Sequence, residues 1–201
     1  MSIIMLDKLT HIPFTPALYH SSRDSAQIDM LVLHYTDGPS LDECVSIFTD
    51  PDKKVSCHYI VGLDGAVRQM VYEEDCAWHC GVSRWRGREG CNRWSLGIEI
   101  VNCGRLEKRD GRFFRWPGEY TTPYSGTSPV WLEGNWWTPY PARQVEQVIK
   151  LSRILVESYK IPLANIVRHS DIAPGRKIDP GPAFPWHEFM ARMADVINRR
   201  W

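Results

Sequence analysis

The sequence has no excess of charge of either sign. Its 201 residues contain 24 Lys and Arg against 24 Asp and Glu, so the formal net charge at pH 7 is zero. Proteins that bind nucleic acid through its phosphates usually show a basic excess or a basic stripe. The charge balance therefore disfavours nucleic acid as a partner.

Long hydrophobic runs are also missing. No stretch approaches the roughly 18 consecutive apolar residues that a membrane-spanning helix needs. The opening residues, MSIIMLDKLTHIPF, lack the basic start, apolar core and small-residue cleavage site of a secretory signal peptide. We therefore expect no membrane insertion and a protein that is cytoplasmic at synthesis.

The cysteines lack the paired CxxC spacing of a structural zinc site. The chain has six of them, namely Cys44, Cys57, Cys76, Cys80, Cys91 and Cys103. In a reducing compartment such cysteines stay free thiols. A chain of this length also buries enough surface to fold without a disulfide or metal crosslink.

No repeat, low-complexity tract or Gly/Ser linker divides the chain, so residues 1–201 are predicted to form one domain. Apolar runs of strand length alternate with helical patterns, which predicts an α/β fold with a central mixed β-sheet flanked by helices. Predicted strands cover residues 29–35, 56–61, 66–71, 95–101 and 166–169, the second and third forming a hairpin. Predicted helices cover residues 41–48, 141–160 and about 185–198.

Residues 102–140 differ from the rest because aromatic residues lie among Gly and Pro without any periodicity. The aromatic side chains include Trp116, Tyr120, Tyr124, Trp131, Trp136, Trp137 and Tyr140. The pattern predicts a long irregular insertion loop, of a kind that is usually functional or mobile. Such an insertion could bind a glycan strand, cover hydrophobic surface or form an oligomer contact.

Two histidines end predicted strands. They are His34 and His169, and Asp179 follows the second by ten residues in a loop rich in Pro and Gly. Two imidazoles and one carboxylate are a known catalytic zinc set, which leaves one position open for water. The sequence has no compact zinc motif such as HExxH, so spacing alone favours two unrelated histidines.

Four blocks of sequence are more specific: LVLHYTDGP, VSCHYIVGLDGAVRQMV, AWHCGVSRWRGREGCNRWSLGIEIVN and HSDIAPGRKIDPGPAFPW. In this order they resemble the zinc-dependent N-acetylmuramoyl-L-alanine amidases of the amidase-2 family, over about residues 28–190. Members of that family include intracellular recycling amidases, phage endolysins and peptidoglycan recognition proteins. The resemblance implies an amidase that acts on peptidoglycan or on muropeptides derived from it.

Carried over position by position, the resemblance implies one zinc ion per chain, bound by His34, His169 and Asp179. It also implies that Glu99, at the end of the family pattern S-x-G-I-E, is the general base. Glu99 would take a proton from the attacking water and pass it to the leaving L-alanine nitrogen. Lys177 would stabilise the oxyanion together with the zinc ion.

The chain departs from the family at Cys57, where some members have a tyrosine. This departure implies the branch that uses the glutamate, with Cys57 as a small packing residue. His58 follows it among apolar neighbours, and we expect a structural histidine there.

Five residues are predicted to contact substrate. His79 resembles a family position that lines the substrate groove, aromatic faces can stack on sugars, and arginine can bind a peptide carboxylate. The five are His79, Trp78, Trp85, Arg86 and Arg176. Local packing is the alternative role for each of them.

The family resemblance leaves the biological role open. The aromatic insertion favours a lytic, endolysin-like enzyme that would later be released to the cell wall. The alternative is a cytoplasmic recycling amidase that acts on soluble 1,6-anhydro-muropeptides. A non-catalytic peptidoglycan-binding module is less favoured, because ligands and catalytic residues are all present. A zinc hydrolase for another amide is also less favoured but stays open, since ligands specify chemistry better than substrate. Oligomeric state and stem-peptide preference stay open.

Overall fold

The computed structural model describes residues 11–116 and 122–198. The strands, numbered along the chain, are β1 (His20–Ser22), β2 (Met30–Tyr35), β3 (Tyr59–Val61), β4 (Val67–Gln69), β5 (Asp75–Ala77), β6 (Arg84–Trp85), β7 (Arg88–Glu89), β8 (Ser95–Ile100), β9 (Arg105–Arg109), β10 (Arg112–Arg115), β11 (Val130–Leu132), β12 (Asn135–Trp137) and β13 (Ile166–Arg168). The α-helices are α1 (Leu41–Phe48), α2 (Ala142–Tyr159), α3 (His169–Ile172) and α4 (Trp186–Asn198).

A five-stranded sheet in the order β13-β2-β8-β3-β4 forms the centre of the protein. The first four strands in this order are mutually parallel, and β4 pairs with β3 in the antiparallel direction. The predicted mixed sheet and the predicted hairpin are both confirmed. Because β13, β2, β8 and β3 are parallel, their carboxyl ends meet at one edge of the sheet.

Both faces of the central sheet are covered. Leu31 and Leu33 of β2 pack into a hydrophobic cluster that includes residues of α2 and α4. Met30 and Val32 point to the opposite face, where they pack with Val167 in a smaller cluster. A strand that is buried on both sides explains why the sequence of β2 is a continuous apolar run rather than an alternating one.

The helices begin where capping chemistry places them. The Ser40 hydroxyl accepts a hydrogen bond from the backbone N–H of Glu43 at 3.1 Å and so caps α1. Helix α2 begins directly after Pro141, whose missing N–H is not needed at a helix start. The predicted helices at these positions are confirmed.

The prediction that residues 102–140 are irregular is wrong for residues 105–115 and 130–137. Strands β9 to β12 form a four-stranded antiparallel sheet in the order β10-β9-β12-β11, hereafter the insertion sheet. Each of its two hairpins turns on a pair of residues with positive φ, Asp110-Gly111 and Glu133-Gly134. Such pairs form type I′ turns, which join short strands without a long hydrophobic pattern. Tyr120 lies outside the described residues.

The insertion sheet packs against the loop that carries Asp179. The ring of Trp137 lies so close to Gly181 that a Cβ there would come within 2.6 Å of it. The Tyr140 hydroxyl donates a hydrogen bond to the carbonyl of Pro180 at 2.8 Å. Gly104 likewise leaves no room for a Cβ against the ring of Tyr35. The insertion thus covers hydrophobic surface beside the predicted metal site.

Within the described ranges, no helix is long and apolar enough to cross a membrane. All six cysteines are buried free thiols, as predicted.

Candidate active site

Three parallel strands bring the predicted site together at their carboxyl ends. His34 near the end of β2 pairs in register with Glu99 of β8, and His169 directly follows β13. Asp179 reaches the same place from the loop after α3. The four side chains line one cavity of about 340 Å³. Residues 145 positions apart in the sequence therefore meet because strand order places them at one sheet edge.

Three ligand atoms converge at the floor of this cavity. Nδ1 of His34 and Nδ1 of His169 lie 2.8 Å apart, and Oδ2 of Asp179 lies 3.2 Å and 2.9 Å from them. All three side chains are buried, with exposed fractions of 1%, 3% and 5%. This group could hold a metal ion.

The charge states of these side chains suit metal binding. Burial lowers the pKa of His34 to about 4, so its imidazole is neutral at pH 7. Burial alone would raise the pKa of Asp179, but hydrogen bonds with His169 and His34 outweigh burial and bring that pKa below its ordinary value. A neutral imidazole and an ionised carboxylate are the forms that bind metals.

The second ring nitrogen of each histidine also has a partner. Nε2 of His34 lies 2.9 Å from Nδ1 of His79, and Nε2 of His169 lies 3.1 Å from the carbonyl oxygen of Cys80. His34, His79 and Cys80 form a second group of possible metal ligands. A thiol must lose its proton to bind a metal, and burial raises the pKa of the Cys80 thiol well above its usual value. The first group is therefore the better metal site.

Glu99 lies in the same cavity, where one of its carboxylate oxygens, Oε2, is buried without a hydrogen-bond partner among the described residues. Burial and the nearby Asp179 carboxylate raise the pKa of Glu99 well above its ordinary value, and Lys177 opposes this effect. An unpartnered carboxylate oxygen beside a metal site is free to accept a proton from a bound molecule.

Lys177 and Arg176 lie on the exposed loop before Asp179 and line the cavity. The Arg176 guanidinium donates hydrogen bonds to the carbonyls of Cys80 at 2.6 Å and Val82 at 2.7 Å. Two of its donor contacts thus go to backbone, while Lys177 lines the cavity from the same exposed loop.

The other predicted substrate contacts divide into two groups. Trp78 lines the cavity, is 36% exposed and has its ring 5.5 Å from that of Tyr19. Neither Trp85 nor Arg86 lines it: Trp85 packs against a hydrophobic cluster and donates a hydrogen bond to Asn165 at 3.2 Å. Arg86 stacks on Trp85. The geometry therefore favours local packing for these two residues.

His79 is 8% exposed and is hydrogen-bonded through both ring nitrogens, to His34 and to Ser95. It lines the cavity, but its polar atoms are engaged inside the protein. The insertion contributes Trp116, which is 39% exposed and lies under the guanidinium of Arg105 at 4.5 Å.

His58 and Cys57 are buried packing residues, as predicted. Nδ1 of His58 accepts a hydrogen bond from the N–H of Gly97 at 3.0 Å, and burial lowers the pKa of this histidine to about 3. The Cys57 thiol is fully buried and donates to the carbonyl of Tyr59. Neither residue lines the cavity.

Sequence reasoning missed Asn92. Its Oδ1 accepts hydrogen bonds from the backbone N–H groups of His79 and Cys80 at 3.1 Å and 2.7 Å. Asn92 lies in a short 3-10 helix, Cys91–Arg93, with no periodic pattern around it. No spacing rule connects such a residue with a loop twelve positions earlier.

Comparison with known proteins identifies the family. The family model Amidase_2, N-acetylmuramoyl-L-alanine amidase, matches residues 24–182. The amidase AmiD of Escherichia coli is 34% identical over 81% of this chain, which spans about half (52%) of that relative. The 1,6-anhydro-N-acetylmuramyl-L-alanine amidase AmpD of Enterobacter cloacae is 32% identical over 92% of this chain and 91% of its own length.

Solved structures agree with this assignment. A selenomethionine AmpD structure superimposes with a TM-score of 0.65 at 27% identity, covering 94% of this chain and 96% of its own. E. coli AmiD, in a complex with anhydro-N-acetylmuramic acid-L-Ala-D-gamma-Glu-L-Lys, gives a TM-score of 0.64 at 32% identity over 89% of this chain and 60% of its own. A mutant Bacillus subtilis endolysin, at 19% identity and a TM-score of 0.59, shares the fold. The chain belongs to the Amidase_2 family of N-acetylmuramoyl-L-alanine amidases.

Proposed function

We propose that this amidase uses zinc to hydrolyse the amide bond between N-acetylmuramic acid and L-alanine in soluble 1,6-anhydro-muropeptides. The observation that carries the proposal is the convergence of His34 Nδ1, His169 Nδ1 and Asp179 Oδ2 beside the unpartnered oxygen of Glu99. Two imidazoles and one carboxylate beside a base are a donor set suited to amide hydrolysis.

The donor atoms fit zinc. Nitrogen and oxygen ligands lie about 2.0–2.2 Å from this ion. Three donor atoms only 2.8 to 3.2 Å from one another can all reach one ion at that distance. When bound, zinc supplies Lewis acidity that polarises the amide carbonyl and acidifies the attacking water.

The remaining steps belong to side chains of this protein. Glu99 takes one proton from the attacking water as the water oxygen bonds to the amide carbonyl carbon. Lys177 places its ammonium beside the negative charge that develops on the carbonyl oxygen. Glu99 then delivers the proton to the L-alanine nitrogen as the carbon–nitrogen bond breaks, so the products are a free amine and a carboxylic acid.

The choice of soluble substrate over intact peptidoglycan is supported by the relatives. AmpD is named a 1,6-anhydro-N-acetylmuramyl-L-alanine amidase and aligns with this chain over nine-tenths of both lengths. Endolysin structures match at 19% to 21% identity, which supports a common fold alone. The comparisons thus favour the recycling alternative over the endolysin-like reading that the aromatic insertion suggested. The cytoplasmic location stays a prediction.

The substrate-contact residues follow from the same geometry. We infer that Trp78 and Trp116, the two partly exposed tryptophans of the cavity, contact substrate there. The Arg176 guanidinium is held by backbone carbonyls, and Arg176 lines the same cavity.

The test offers the enzyme two substrates in parallel, a purified anhydro-muropeptide and intact sacculi. Each is incubated with and without a chelator, followed by zinc readdition, and the peptides are identified by mass spectrometry. We expect peptides with a free N-terminal L-alanine, release blocked by the chelator and restored by zinc, and faster turnover of the soluble substrate. Faster release from sacculi would contradict the recycling assignment, and chelator-insensitive release would contradict the zinc assignment.

A further inference from the structure

The segment His79-Cys80 contacts both histidines of the proposed metal site. His79 provides its ring nitrogen Nδ1 to His34, and Cys80 provides its backbone carbonyl to His169. The two contacts are 2.9 Å and 3.1 Å long and go to the ring nitrogens that face away from Asp179. One short segment therefore orients both imidazoles.

The proton positions in this arrangement follow from the direction of the ligand atoms. Both histidines turn Nδ1 toward Asp179, so each neutral ring carries its proton on Nε2 when Nδ1 binds a metal. His34 then donates to Nδ1 of His79, and Nε2–H of His79 donates to the Ser95 hydroxyl at 3.1 Å. The Ser95 hydroxyl in turn donates a hydrogen bond to the carbonyl of Cys91 at 2.7 Å. Each group in this series donates a hydrogen bond to the next, and both ring nitrogens of His34 and of His79 have partners.

The segment itself is held by a residue that touches neither the metal ligands nor Glu99. Oδ1 of Asn92 accepts both N–H groups of the segment, from His79 and Cys80. Gly97 provides the space for the imidazole, because a Cβ there would lie 2.6 Å from Nδ1 of His79. Asn92 thus holds the segment on one side, and the missing side chain of Gly97 in β8 leaves space for its imidazole on another.

We propose that Asn92 is a positioning residue that fixes the orientation of both metal-ligand histidines through His79-Cys80 and thereby sets the affinity for the metal. The inference rests on zinc ligation by His34 and His169 as proposed above. Partners of ligand histidines hold the ring in the binding orientation, and their loss weakens metal affinity by roughly 10- to 100-fold. Asn92 acts on two such partners at once.

The test measures zinc dissociation constants by competition with a chromophoric chelator, without any substrate. Asn92→Ala removes both acceptor contacts, and we expect zinc to bind at least 10-fold more weakly, on the scale of lost ligand partners. Asn92→Asp keeps an oxygen in the same place, and we expect it to bind zinc within about threefold of the parent protein. Comparison of the two variants separates the effect of the acceptor oxygen on zinc affinity from the effect of packing around residue 92.

Asn165→Ala is the matched control. Asn165 also makes two hydrogen bonds, to Trp85 and to the carbonyl of Asp29, but it does not contact His79 or Cys80. We expect this variant to lose stability in thermal unfolding and to keep its zinc affinity. Ser95→Ala removes only the partner of His79 and should weaken zinc binding less than Asn92→Ala does.

Three outcomes would overturn the inference: unchanged zinc affinity in Asn92→Ala, equal weakening in Asn165→Ala, or no rescue in Asn92→Asp. If Asn92→Ala does not fold, Ser95→Ala and Asn92→Asp still decide, since the inference requires weakening in the first and near-normal affinity in the second. Failure of zinc binding in the parent protein would instead contradict the metal site itself. The substrate assignment does not enter these measurements.

Discussion

The central sheet and the insertion sheet differ in strand direction and in burial. Four of the five strands of the central sheet are parallel, β2 is almost completely buried, and register places His34 beside Glu99. The strands of the insertion sheet are antiparallel, only three to five residues long, and they expose large aromatic side chains such as Trp131 at 57%. A buried parallel sheet restrains side chains at its edge, whereas a short antiparallel sheet adjusts the surface around them. The proposed chemistry accordingly lies at the carboxyl edge of the central sheet.

The insertion sheet has two faces with different neighbours. Cross-strand register places Arg105 with Trp137 on one face, toward the loop of Asp179, and Leu106 with Trp136 on the other. Trp131 pairs with Trp136 and so belongs to the second face. Among the described residues, the first face reaches the active-site cavity through the neighbouring Trp116, and Arg105 and Trp137 line a second cavity together with Lys177. The aromatic residues of the insertion thus form two groups. One group lies beside the active-site cavity, and the other lies on the opposite face of the insertion sheet.

The strongest test of the comparison removes a proposed metal ligand at the edge of the central sheet. His169→Ala should lose both zinc and turnover, with a rate at least ~10³-fold lower, since a catalytic metal is worth several kcal/mol and each 1.36 kcal/mol is tenfold. Metal content by mass spectrometry and rate are measured on the same sample. Trp131→Ala in the insertion sheet is the control and should keep both. Full zinc content in His169→Ala would remove this histidine from the ligand set.

Glu99→Gln should separate catalysis from metal binding within the central sheet. The amide has nearly the same shape but cannot take a proton, so we expect zinc to remain and kcat to fall by about 10²- to 10⁴-fold. The same rate and metal measurements decide the result. A Glu99→Gln enzyme with normal kcat would show that another group acts as the base.

The histidine-linked pH dependence of stability should arise outside the insertion, because residues 102–140 contain no histidine. Burial lowers the pKa of His58 to about 3, below the usual 6.5, so the unfolded chain binds the extra proton between these values. Stability contributed by this group is therefore lost as pH falls below 6.5. The loss is about 2 kcal/mol at pH 5 for this residue, at ~1.4 kcal/mol per pH unit.

Urea unfolding of chelator-treated protein at pH 7 and pH 5 measures this effect. His58→Asn keeps an acceptor for Gly97 but cannot take up the proton, so its stability should fall less between the two pH values than that of the parent. Other buried histidines, His34 and His79, contribute to the remaining slope. Equal slopes in variant and parent would show that His58 is not responsible.

The smallest expected effect distinguishes the two faces of the insertion. Trp116→Ala should raise KM for the muropeptide about fivefold, corresponding to ~1 kcal/mol of lost aromatic contact, with little change in kcat. Trp131→Ala removes a more exposed tryptophan from the other face and should leave KM unchanged. Steady-state kinetics on the soluble substrate provide both numbers. Equal effects of the two changes would mean that the insertion acts on the site only through folding.

Local sequence signals predicted most of the central sheet and the helices. The apolar run of β2, the hairpin of β3 and β4, and the Ser40 cap each depend on neighbours close in the chain, and each is confirmed. The insertion sheet was missed because strands such as β9 (RLEKR) and β10 (RFFR) are rich in charged residues and lack the apolar runs by which β2 and β3 were recognised. Asp110-Gly111 is a hairpin signal that was present in its sequence.

Sequence by itself determined which residues are proposed to carry the chemistry, since motif resemblance selected His34, Glu99, His169, Lys177 and Asp179. It also determined most strands of the central sheet and the main helices. Tertiary structure alone decided that His79 and Cys80 contact the ligand histidines, that Asn92 holds them, and that Trp85 and Arg86 lie away from the cavity. The physical reason is distance along the chain. Contacts between residues 10 to 145 positions apart depend on strand order and packing, which local composition does not encode.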